Sequence, residues 1–298
     1  MPEPLSDLLA LEGFQTGLLF GFVAALGIAL VVVVGHSARP WAGAAFALAG
    51  LAAQDDLYRV DTIAIVGVGL IIVCGHLLAG RASIWWLTAA VPGTAVVAVA
   101  AADLDRPAWA VPMIVGVTLV GGVLTASFDR VLGARGLAPV LLAVTTLGIY
   151  LTTPDTEHSA VLLGAALPVA LLACPWPLAT LGVGGSFASV AVLTWVVAID
   201  GVGRDGALVG SVACLGMLVL EPVVRAAQSR RLPPAPVPLR YSATVVAVHV
   251  ALVAVCSRVG GLRSSAVEAL AVCALAYAVA GAVLVAQASR HRATARLA

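Results

Sequence analysis

The amino-acid sequence predicts an all-α fold, a polytopic transmembrane helix bundle of about eleven helices joined by short loops. Three observations predict it. Of 298 residues, 61% are hydrophobic and 10% are charged, with a mean hydropathy of +1.08. A water-soluble domain of this length could not hide so much apolar surface, whereas lipid can accept it. The apolar residues fall in runs close to the ~20 residues that cross ~30 Å of hydrocarbon as a helix. The charged residues gather between those runs and separate by sign from one loop to the next.

The eleven predicted segments are 14–35, 40–57, 62–80, 83–102, 108–128, 136–153, 159–175, 177–199, 206–224, 241–258 and 265–287. The first is too long for the apolar region of a cleaved secretory signal. The acidic MPEPLSDLLALEG before it also has the wrong sign, so it reads as a retained transmembrane helix. The second has the shortest apolar stretch, Trp41 to Ala53, and reads as a short or re-entrant helix, which makes the count ten or eleven. The fourth and seventh carry breakers in mid-helix, Pro92-Gly93 and Pro168. Proline removes a backbone hydrogen bond and kinks a helix, and interrupted helices expose backbone groups at the binding sites of transporters. The run LGVGGSFAS (181–189) lacks the lysine of a phosphate-binding loop. Its Gly185 and Ser189, four apart, predict close helix packing through small residues.

All 16 basic residues are arginine, and with the excess of Ala, Val and Gly this suggests a GC-rich bacterial coding sequence. Their distribution orients the chain. With the tail of Arg290, Arg292 and Arg296 in the cytoplasm, 11 arginines fall on that side with only Asp129 and Glu221. Five arginines and thirteen acids fall on the other. The predicted location is the bacterial plasma membrane, multi-pass, with a cytoplasmic C-terminus. The organisation reads as a main bundle of about nine helices (1–227), a Pro-rich cytoplasmic linker (228–240), a final helix pair (241–287) and a basic tail (288–298). The linker's Pro233, Pro234, Pro236 and Pro238 make a stiff, extended connector.

The acids of the outer loops recur, with Asp55, Asp105, Asp155 and Asp205 spaced by fifty. An up-and-down bundle of ~25-residue units places its outer loops at that interval, so the spacing follows from the architecture as well as from a repeat. The loop TTPDTEHS (152–159) concentrates polar groups most. Thr153 and Pro154 read as a helix cap and first-turn proline, with Asp155 and Glu157 favoured by the helix dipole. The same residues, with His158, also suit a cation, a proton or a polar head group. Candidate substrate-binding or proton-relay residues are therefore Asp155, Glu157, His158, Asp55, Asp56, Asp205 and Arg258 at the rim, and His249 within a membrane segment, where an ionisable group is costly.

Near-neutral charge gives no reason to expect nucleic acid. Neither an HExxH spacing nor a CxxC pair is present, so no metal or cofactor is expected. The five scattered cysteines read as small buried hydrophobes. Expected partners are the bilayer, a small-molecule or lipid substrate, and a membrane-protein partner. The pattern favours a small secondary transporter or flippase over a membrane-embedded enzyme acting on a lipid-linked substrate or a non-catalytic assembly subunit. The catalytic residues an enzyme would use are not identifiable.

Overall fold

A computed structural model describes residues 3–34, 39–58, 60, 62–78, 93–94, 110–132, 137–153, 157–173, 179–200, 205–229, 239–261 and 265–295. Among these the regular elements are all helical. They are α1 (Glu3–Ala10), α2 (Glu12–Val33), α3 (Ala42–Tyr58), α4 (Thr62–Leu78), α5 (Ala110–Leu132), α6 (Leu137–Thr152), α7 (Glu157–Ala173), α8 (Val183–Asp200), α9 (Asp205–Ser229), α10 (Leu239–Gly261) and α11 (Ala266–Ala295). A 3-10 turn, Arg39–Trp41, leads into α3. Ten of these helices fall where the apolar runs predict them, and the short α1 is additional. Pro92 and most of the predicted 83–102 segment lie outside the described residues. So do Asp155 and residues 230–238 of the Pro-rich run.

Helix α8 is the axis of the fold. Every residue from Gly184 to Ala198 is buried, and its neighbours are α3, α4, α5 and α9. Helix α2 lies across α7, α6 bridges α7 to α10, and α11 packs chiefly on α9 and α10. Four spans are long and apolar enough to cross a membrane: Glu12–Val33, Val183–Asp200, Ala243–Gly260 and Ala266–Gln287. Their apolarity runs opposite to burial. The two outer spans have hydropathies of 2.5 and 2.4 with 22% of residues buried, whereas α8 has 1.7 with 89% buried. Leu19, Phe22 and Val23 of α2 and Leu275 and Val279 of α11 are more than half exposed. A water-soluble protein places its most apolar stripes inside. These helices are compatible with a membrane protein.

Close approach through glycine holds the bundle. On α2, Gly13, Gly17 and Gly21 meet α7 at Glu157, Val161 and Ala165, and Gly164 of α7 returns the contact to Phe14 and Gly17. Small residues four apart let two backbones touch, which is where packing energy comes from when lipid competes for apolar surface. At the far end of the bundle, Gly184 meets Gly75 and Ile72 of α4, Gly185 meets Gly43 of α3, and the Ser189 hydroxyl donates to the Gly43 carbonyl at 3.2 Å. The run 181–189 is a packing motif, as its spacing predicts.

The entry to α8 explains its glycine. Gly182 has φ +72°, a left-handed conformation that glycine adopts without penalty, and a Cβ there would meet the Pro40 carbonyl at 2.2 Å. The Asp129 carboxylate, from the end of α5, accepts the N–H groups of Leu181 and Gly182, each at 2.9 Å. It caps α8 from another helix. Burial raises the Asp129 pKa, and the two backbone hydrogen bonds oppose that rise. At the start of α11, Ser265 and Glu268 form a reciprocal capping box: the Ser265 N–H donates to Glu268 and the Glu268 N–H to the Ser265 hydroxyl. The early position of Glu268 serves that cap.

Candidate functional site

At one end of the bundle α3, α6, α8 and α10 stop and α2, α4, α7 and α9 start. Here α3 and α7 bring four polar side chains together. Gln54 is fully buried one turn before the end of α3. Its Nε2 donates to the His158 carbonyl at 2.8 Å, and its Oε1 lies 2.7 Å from His158 Nδ1. The carbonyl can only accept, so the amide is oriented, and Nδ1 must carry the proton that Gln54 Oε1 receives. In the neutral ring the lone pair therefore sits on Nε2. Burying a primary amide without partners would cost about 1–3 kcal/mol, so this reciprocal pair specifies how α3 seats on α7.

Tyr58, one turn further along α3, stacks on the His158 ring at 4.3 Å between centroids. Its hydroxyl donates to Glu157 Oε2 at 2.5 Å. Its phenol is held well above the ordinary tyrosine range, first by burial and then by the hydrogen bond to Glu157, with Asp200 and Glu12 adding negative charge nearby. Five elements converge here, since Asp200 ends α8, Glu12 opens α2, and Gly13 lets α2 approach the Glu157 carbonyl at the start of α7. Thr153, expected as a helix cap for α7, closes α6: its N–H bonds to the Ile149 and Tyr150 carbonyls and its hydroxyl to Ile149.

Beside this cluster a crevice of about 420 Å³ opens between α2, α3 and α4. Phe20, Leu48, Leu51, Ala52 and Ile65 make its apolar wall, and Asp55 and Asp56 lie at its polar end. Both carboxylates belong to the last turn of α3 and are exposed. The geometry suits a molecule with an apolar body and a cationic head.

The other predicted candidates are dispersed. Arg258 is exposed in the last turn of α10, where a cation complements the helix dipole. Asp205 opens α9. His249 is fully buried in mid-α10, with its Nδ1 2.9 Å from the Val245 carbonyl one turn back. Its sequence neighbour Val248 lines an apolar groove of about 380 Å³ between α10 and α11. Pro168 is buried inside α7, which runs as one helix through it. Gly93 packs on Gly67 and Ile71 of α4. Among the described residues no three His, Cys, Asp or Glu side chains are placed to share a metal.

Gln54 and Tyr58 escape sequence reasoning that looks only for charge. Their signal is spacing. Gly43, Ala47, Gly50, Gln54 and Tyr58 follow one face of α3, so a glutamine and a tyrosine continue a buried stripe. No known protein family matches the chain, and no curated protein matches it in sequence.

Proposed function

We propose that the chain is an integral membrane protein of ten or eleven crossings that moves an amphiphile, a lipid or a small molecule with a cationic head, between the faces of a bacterial plasma membrane. The single observation that carries the proposal is the crevice between α2, α3 and α4. Its wall is apolar, it adjoins the lipid-compatible surface of α2, and it ends at Asp55 and Asp56. An apolar tail gains about 0.8 kcal/mol per buried CH₂ along such a wall, and the carboxylates favour the head group over bulk anions. The adjoining Gln54, Tyr58, Glu157 and His158 cluster ties the crevice to α7, so rearrangement of α3 on α7 opens or closes it. The inverted apolarity of the outer spans supports the membrane setting.

The test is flux. Purified protein in liposomes is loaded with a fluorescent cationic amphiphile, and quenching from outside reads its transfer. Protein-dependent transfer, lost in D55N/D56N with the fold retained, is the expected result. Equal transfer by wild type and D55N/D56N overturns the assignment of the crevice, and no transfer above protein-free liposomes for any cationic amphiphile overturns transport. His249→Ala separates coupling from binding: on a proton-relay role it abolishes pH-driven flux, and unchanged flux removes His249 from the mechanism.

A further inference from the structure

Nothing in the transport reading uses the cysteines, yet three of them meet. Cys214 on α9, Cys256 on α10 and Cys273 on α11 are buried and free. Cys256 and Cys273 are in thiol–thiol hydrogen-bond contact across the seam between α10 and α11. Cys214 is near both, but its thiol is engaged by the Thr152 hydroxyl of α6. At 1.5 Å per residue, Cys256 lies about 8 Å from the end of α10 and Cys273 about 11 Å from the start of α11, so the pair sits at one depth.

The surrounding seam is narrow. Helix α11 presents only Ala269, Cys273, Ala280 and Leu284 as buried residues, joined by the half-buried Tyr277, whose hydroxyl donates to the Ala213 carbonyl of α9. Most of the rest of α11 is exposed. Small residues on this stripe bring α11 close to its neighbours but bury little side-chain volume, so α11 is the long helix with the least to hold it.

We propose that Cys256 and Cys273 form a disulfide that fastens α11 to α10, with a small apolar disulfide that partitions into the bilayer as the oxidant. One cysteine, as thiolate, attacks a sulfur of the oxidant, forming a mixed disulfide and releasing one thiol. The second cysteine attacks the protein sulfur of that mixed disulfide, forming the Cys256–Cys273 bond and releasing the second thiol. Two electrons pass from the cysteine pair to the oxidant, and the two cysteine protons end on the released thiols. Two sulfurs already in contact need only side-chain rotation to reach bonding distance. The engagement of Cys214 by Thr152 selects the pair.

The experiment uses the full chain in liposomes, treated with dithiodipyridine, a membrane-permeant aromatic disulfide. Remaining thiols are alkylated in detergent, and the unreduced digest is read by mass spectrometry. A cross-linked peptide joining residues 256 and 273, about 2 Da lighter than its reduced parts, is expected. It persists in C214S, disappears in C256S, and is released by a phosphine. Recovery of Cys256 and Cys273 as alkylated or pyridyl-capped peptides with no cross-link overturns the proposal. A dominant link through Cys214 overturns it equally.

Discussion

Gly17 of α2 lies against the backbone of α7, and a methyl group there has nowhere to go. A Cβ built at Gly17 falls 2.0 Å from the Val161 carbonyl oxygen. Ordinary contact begins near 3.4 Å, so in Gly17→Ala the two helices must separate by about 1.4 Å at this crossing. The obstacle is backbone and not the end of a flexible side chain, so it cannot be relieved by a rotamer change. A radial gap of that size forfeits more than half of each facing dispersion contact. Gly13, Gly21 and Gly164 lose theirs together, because one pair of helix axes carries all four. Overpacking costs of this kind run to about 1–3 kcal/mol, and the upper half of that range is expected. Gly27, on the same helix, has nothing within 4 Å of the point where a Cβ would stand. Gly27→Ala therefore gains helix propensity, about 1 kcal/mol at most, and loses no contact. The assay is reversible unfolding in mixed micelles followed by circular dichroism, with both variants measured against wild type. A Gly17→Ala protein as stable as Gly27→Ala would refute the reasoning, because the two differ in whether a helix stands opposite and hardly in intrinsic preference.

Other variants probe the two ends of the bundle. Asp129→Ala leaves the Leu181 and Gly182 N–H groups without their acceptor and should cost about 1–2 kcal/mol, with Asp129→Asn in between; equal stability of all three would show that α8 needs no cap from α5. Gln54→Leu removes both hydrogen bonds to His158 and should cost about 1–3 kcal/mol. In wild type, nitrogen NMR should find the neutral His158 proton on Nδ1, and an Nε2-protonated ring would contradict the amide orientation. The Tyr58 phenol is raised from its ordinary value of 10.0, mainly by burial and then by Glu157. The stability tied to the neutral phenol is thus complete below pH 10 and is lost as pH climbs through the higher folded-state value. Alkaline difference absorbance should show E157Q ionising Tyr58 at lower pH than wild type, and coincident curves would remove Glu157 as a cause.

Much of the fold was legible because lipid and helix geometry both constrain the sequence locally. A run of about twenty apolar residues must satisfy its own backbone, so ten of the segments read from hydropathy alone appear as helices, and Ser265 and Glu268 mark a start by a three-residue spacing. Composition also sets which helices are the most apolar. What the sequence could not say is which helices touch. Hydropathy has little angular information when most faces of a helix are apolar, so nothing local distinguishes α8, surrounded by protein, from α2, largely exposed. The same blindness applied to the functional residues. Glu157 and His158 stood out by charge, but their partners Gln54 and Tyr58 lie about a hundred residues away on another helix. The three cysteines looked scattered because their meeting depends on how α9, α10 and α11 are placed side by side. Chain spacing fixes depth along a helix, and only tertiary packing fixes the neighbour at that depth.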